Sequence, residues 1–495
     1  MPLQLIGPWQ NALEGAAAVL CAVAAMAVVS ALALFLLGAG SVGSLWSLTM
    51  ALTAMAVGGS VTAGSDVSGD SGGMGGLAAM FGGGGGMGPS ISGAANVVPL
   101  GVTLIGAVVL WVAFSRRLRL RQGHQQRRFT GSELAVRAAG AVGAAMFVFM
   151  IVAALGKGSA ALPEGAMQGM GGMGGQSSGS SGAAGGMGGG LAELMGGSGG
   201  GLGDLMGGSG GMSAMTYKVN AGSAALGAAL WAGIVVGAGC LISRRVRLPL
   251  GGALDRLRPA WAPSLSAVLR TVLVLAAVIL VPLVFIGAAV GGKAGTLAGG
   301  ALLLAPNALA VVLTLGLGSS WTVGMHPVQT DSSSNPLASM MGGMGGMGGS
   351  SGMGGAMQKD RTEHLASVSP GGLPLWLVAL SVTGVILLAC AYRASRVASP
   401  AGTTPLHPYR GPLARHIGMA ERFGIVTAVV MGAAAWLVGS SGNFGISMFG
   451  SEMGGMRAEL TGSVLQTVAL GLLFGALVGF AGSLLATAGR VREQR

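Results

Sequence analysis

Long apolar runs alternate along this chain with glycine-rich stretches and short basic ones. A helix needs about 20 apolar residues to cross a bilayer. Eight runs reach that scale, near 16–37, 97–114, 134–155, 220–242, 265–290, 374–391, 419–438 and 464–487. Two more are interrupted: 42–62 by Gly58-Gly59, and 296–320 by Pro306-Asn307. The pattern predicts an all-α membrane protein with about eight transmembrane helices and two re-entrant or broken segments. Residues 1–15 carry no Lys or Arg. A cleaved secretion signal opens with a positive region, so the first run reads as a retained span.

Charge orients these spans. Basic stretches follow every second strong run, at 116–128, 244–258, 393–415 and 490–495. With Arg137, Arg270 and Arg422, placed to snorkel towards the same side, they hold 21 of the 27 basic residues. Cytoplasmic loops carry the excess of Lys and Arg, so that side is expected inside and the cell membrane is the expected location. If both interrupted segments crossed fully, the later basic stretches would fall outside. If both dip and return, every basic stretch lies inside, and so do both termini. Pro306 denies a backbone amide and Asn307 supplies polar caps, which predicts a re-entrant hairpin at 296–320. For 42–62, an N-outside chain with a true span satisfies the arginines equally.

Composition narrows the class. The chain has 495 residues, 52% apolar and 8% charged, with 96 glycines. Soluble domains carry about a quarter charged residues, which excludes a water-soluble enzyme. The net charge of +12 sits beside apolar runs, so the lipid bilayer is the expected partner and nucleic acid is not. Cys21, Cys240 and Cys390 lie inside apolar runs without disulfide or zinc spacing.

The segments repeat in order, predicting a parallel duplication with halves at 1–250 and 251–495. Residues 58–64 (GGSVTAG) match 318–324 (GSSWTVG) at four of seven positions. Four spans per half would relate the repeats by an axis along the membrane normal. The outer loops at 66–94, 158–215 and 332–357 are mostly Gly, Met, Ser and Ala. They lack the branched and aromatic residues that offset chain entropy, so disorder is expected there.

Few residues suggest chemistry. Thioethers are soft ligands for Cu(I), making Met167, Met170, Met173, Met340, Met341, Met344 and Met347 the metal candidates. Met146 and Met150, one turn apart, would be a second stop. Pro306, Asn307, Gly318, Ser320, Thr322 and Gly324 are the re-entrant or pore candidates, since half-helix ends coordinate ions or substrates. Glu14, Glu133, Arg137, Arg270 and Arg422 sit near inner span ends, where anchoring explains them. The five histidines are all expected in loops, and no nucleophile, base and orienting group come together, so neither catalysis nor a cofactor is expected. Gly233/Gly237, Gly471/Gly475 and Gly475/Gly479 are GxxxG pairs for close helix packing.

Over essentially its whole length the chain resembles the streptophobe family, very hydrophobic actinobacterial membrane proteins without an assigned activity. The likeness rests on Arg258-Pro259-Ala260-Trp261, on Ala305-Pro306-Asn307-Ala308 with 318–324 behind it, and on the Gly/Met/Ser loops. Residues 302–324 locally resemble the PerM-like membrane proteins linked to cell division. There Pro-Asn precedes an aromatic-rich run and a Gly-Pro-Gly-like turn, and this chain has Gly318-Ser319-Ser320 instead. The resemblance implies a non-enzymatic membrane protein of the actinobacterial envelope that interacts with envelope or divisome membrane proteins. The residues leave two alternatives: a transporter or channel with its path at the re-entrant segments, and outer-face Cu(I) capture by the Met-rich loops.

Overall fold

The computed structural model describes residues 8–64, 90–124, 131–161, 214–242, 252–290, 292–328, 361–367, 374–397, 412–448 and 451–493. The apolar runs are helices, because lipid offers no partner to a backbone amide or carbonyl and a helix pairs each within itself. In order they are α1 (Pro8–Leu36), α2 (Leu45–Met55), α3 (Leu100–His124), α4 (Gly131–Leu155) and α5 (Ala221–Ile242). The second half adds α6 (Gly252–Val290), α7 (Gly292–Gly316), α8 (Leu375–Val397), α9 (Pro412–Val438) and α10 (Val464–Glu493). Eight of them are long and apolar enough to cross a membrane. The set differs by one from the sequence expectation, since α7 joins it and the apolar part of α3 stops at Arg116. Large side chains face outward: Val28, Phe147, Ile234, Phe285 and Leu477 are each more than half exposed. In water such a surface would aggregate; in lipid it is solvated. The protein is a multi-pass integral membrane protein.

Most of the basic residues lie towards one end of the bundle, and the other end carries a β-sheet that the sequence pattern did not predict. The strands are β1 (Val61–Gly64), β2 (Ser90–Asn96), β3 (Gly158–Ala161), β4 (Ala214–Val219), β5 (Trp321–Val328), β6 (Arg361–His364), β7 (Ser440–Met448) and β8 (Ser451–Gly462). Each joins a helix end away from the basic stretches. They form one sheet in the order β3-β4-β1-β2-β7-β8-β5-β6. The first four strands of the chain thus stand in the order third, fourth, first, second, and so do the last four. All pairings between neighbours are antiparallel. The halves meet where β2 pairs with β7, from Ser90↔Ser447 to Asn96↔Ser441. This corrects part of the expected disorder in the outer loops. Residues 90–94, 158–161 and 214–215 are ordered, because ladder partners supply what their own side chains do not. The remainder of those loops lies outside the described residues.

The two interrupted segments return to the sheet end by different means. α1 starts at the basic end, where Gly15 packs against Arg137 and Ala141 of α4. α2 has 11 residues, about 16 Å of helix, against a hydrocarbon core of about 30 Å. It enters the bundle, turns at Gly58 and leaves as β1, so 42–62 is a dip. The hairpin expected at Pro306-Asn307 is corrected. α7 is one helix of 25 residues with Pro306 inside it, and the chain turns back only at Gly318. Along its length α7 meets the sheet-end turns of three other helices. Gly299 approaches Ala33 and Leu36 of α1, Leu302 lies on Gly101 of α3, and Gly316 packs on Ala379 of α8. Tertiary contact overrides the expected break because Pro306 costs a single helical bond, and the carbonyl it frees has a neighbour.

Small residues set the helix spacing. A Cβ on Gly475 would lie 2.9 Å from the Gly424 Cα of α9, and one on Gly471 3.1 Å from the Ala428 Cα. Gly482 is equally tight on Ala391 of α8. The glycines of α10 therefore serve the fold. Gly233 and Gly237 meet nothing within 4 Å among the described residues.

Candidate functional site

Two turns under the sheet each hold a group of hydrogen-bonded polar residues. α2 ends with Gly59 N–H donating to the Ala54 carbonyl (3.0 Å) and Gly58 N–H to that of Met55 (2.9 Å). α7 ends with Ser319 N–H on Thr314 (3.2 Å) and Gly318 N–H on Leu315 (2.8 Å). Both are Schellman caps, which need a left-handed residue at the turn. Gly58 (φ 97°) and Gly318 (φ 90°) provide it. The second residue after this glycine is held alike in both halves. Ser60 N–H donates to Ser223 Oγ (3.3 Å) and the Ser60 carbonyl accepts from Asn220 N–H (2.9 Å). Ser320 N–H donates to Gln466 Oε1 (3.3 Å) and its carbonyl accepts from Ser463 N–H (3.2 Å). The motif match at 58–64 and 318–324 therefore marks one backbone device used twice.

Pro306 and Asn307 do different work from that expected. Pro306 has no N–H for the Leu302 carbonyl one turn earlier. That carbonyl lies against Gly101, at the positive first turn of α3, where any side chain would collide with it. Buried Asn307 accepts from Leu100 N–H at Oδ1 (2.9 Å) and donates from Nδ2 to the Val98 carbonyl (2.7 Å). It caps the N-terminus of α3 from the other half of the chain.

The remaining pore candidates have structural partners as well. Ser320 Oγ donates to Gln466 Oε1 (2.7 Å), while Gln466 Nε2 donates to the Gly318 carbonyl (3.1 Å). Thr322 Oγ1 donates to the Thr461 carbonyl (3.4 Å) across β5 and β8. Gly324 packs under His326 and Glu459. The sequence reading missed Gln466, Ser319 and Trp321. Ser319 Oγ shares a 2.6 Å hydrogen bond with Thr467 Oγ1, and fully buried Trp321 donates from Nε1 to Thr314 Oγ1 (2.9 Å). Ser463-Val-Leu-Gln466 has the spacing of a capping box, which was the available signal for Gln466.

At the basic end, Arg137 is 2% exposed and sits 3.3 Å from Glu14. Its guanidinium donates to the Phe114 carbonyl (3.3 Å) and lies over the Phe114 ring. The expected snorkelling of Arg137 is thereby corrected: it points into the bundle because Glu14 and a ring face replace water. His416, expected in a loop, lies in α9, hydrogen-bonded to Ser483 of α10 and edge-on to Phe480. Met146 and Met150 both face outward. Met167, Met170, Met173, Met340, Met341, Met344 and Met347 lie outside the described residues.

Comparisons with protein-family models, with curated proteins and with solved structures find no match to this chain.

Proposed function

We propose that this protein acts without catalysis of its own, as an integral membrane protein of the cell envelope that binds other membrane proteins through its sheet. The carrying observation is the sheet itself: one eight-stranded platform built from both halves over the bundle. Open edges present rows of backbone donors and acceptors to an added strand. β6 pairs with β5 on one side and with no described strand on the other. Among the described residues, the edge at β3 carries a single bridge, from Gly43 to Ala160. The excess of arginine at the opposite end supports placing that end in the cytoplasm and the sheet outside. The family resemblance supports an actinobacterial envelope setting with divisome proteins among the partners.

A photo-crosslinking residue at Glu363 in β6 tests this reading in intact membranes. Adducts with one or a few envelope membrane proteins are expected, and they are expected to vanish when Thr362→Pro blocks strand addition. Equal adducts with and without the proline would overturn it. A transport path at the two turns is the competing reading, favoured by their recurrence in both halves. It requires that the chain's deletion alter cellular solute or metal content.

A further inference from the structure

Two clefts run along one face of α6. Near the basic end, a cleft of about 750 Å³ opens between α5, α6 and α8, with Arg270 and Arg393 on its walls beside Ile242 and Val397. No acidic residue is among its described lining. Ser266 and Thr271 also line it, but their hydroxyls donate to the Pro263 and Ala267 carbonyls. The two guanidiniums are therefore its free donors, and neither has an ion-pair partner among the described residues. Both arginines are exposed in the bundle.

The second cleft, about 330 Å³, continues towards the sheet end between α3, α6 and α7. Its walls are apolar: Ile105 and Val109 on one side, Ala277, Leu280 and Phe285 on the other. Leu273 lines both clefts. From Arg270 to Phe285 the helix rises about 22 Å, more than the roughly 15 Å of hydrocarbon in one leaflet. Basic clefts between transmembrane helices at the membrane surface take anionic headgroups. An apolar groove running on from the charge takes a chain rather than a free anion.

We propose that this face binds one anionic phospholipid, its phosphate on Arg270 and Arg393 and an acyl chain along the groove between α3 and α6. Arginine suits the phosphate because its fork donates two hydrogen bonds to paired oxygens. The groove lies where α6 of the second half faces α3 of the first, so the lipid bridges the two halves.

Native mass spectrometry of the full-length protein, purified with equal phosphatidylglycerol and phosphatidylcholine, reads this directly. One retained phosphatidylglycerol, at least fivefold over phosphatidylcholine, is expected. Arg270→Gln with Arg393→Gln should erase the preference. Ala277→Trp, at an exposed groove position, should lower retention with both arginines in place. The single arginine variants carry the test if the double variant does not fold. Equal retention of the two lipids by the unaltered protein would overturn the proposal. So would an undiminished preference in the arginine variants, or thermal stabilisation by inorganic phosphate equal to that by phosphatidylglycerol.

Discussion

At the scale of single residues, the buried polar groups hold helices together. Asn307 serves two backbone groups of α3 from the other half of the chain. Asn307→Leu removes that partner from both in a buried site, at a cost of about 1–3 kcal/mol. A lower midpoint in detergent-based unfolding, with folding retained, is the expected outcome. The Arg137–Glu14 pair follows the rule for buried ions: removing one partner costs about 3–5 kcal/mol, while removing both costs much less. Arg137→Leu should thus be less stable than the double variant with Glu14→Leu. Gly475→Leu should push α10 off α9 and destabilise by about 1–3 kcal/mol, whereas Gly237→Leu, facing open space, should leave the midpoint unchanged. The importance of Asn307 was legible from its position in an apolar run. Its partner was not, because Leu100 lies 207 positions away.

At the scale of elements, the repeated turn is the clearest case. A Cβ added at Gly58 would meet nothing within 4 Å, so Gly58→Ala probes backbone conformation alone. A left-handed alanine costs about 1–2 kcal/mol, and that loss is expected in the same unfolding measurement. The glycine pattern marked an interruption at Gly58-Gly59 but left open whether 42–62 spans or dips, and the second turn lies at Gly318 and not at Pro306-Asn307. The strands were hidden for a different reason. β1, β3 and β6 have four residues each, too few for alternation to register, and glycine and serine have little strand preference. Alternation in 214–219 and 321–328 was the signal available. In α7 the expected break at Pro306 gave way to a continuous helix because the freed carbonyl finds Gly101.

At the scale of the molecule, the described residues join the halves by β2 on β7, by α7 across α1 and α3, and by α6 against α5. Residues directly opposed in an antiparallel pair lie about 4.5–5.5 Å apart at Cα, within disulfide range. Ala94→Cys with Asn443→Cys, opposed in register, should therefore form a disulfide on oxidation. Ala94→Cys with Cys placed at Ser451 should not. An extracytoplasmic signal is expected from a two-compartment reporter fused after Asp331, since β5 and β6 share the sheet with the other outer strands. A cytoplasmic signal would reverse the orientation proposed above and take the sheet out of reach of outer partners.

The amino-acid sequence by itself determined that the chain lives in a bilayer, where most helices lie, and which end bears most of the arginines. These properties follow from local hydrophobicity and charge, which lipid and water read residue by residue. Only the tertiary structure decided that eight short segments make one sheet, that Asn307 caps a helix of the other half, and that Arg137 turns inward to Glu14. Each of those depends on partners distant in the chain. Short glycine-rich strands and buried polar groups are stable only when such partners are brought to them, and no local pattern states which partners those are.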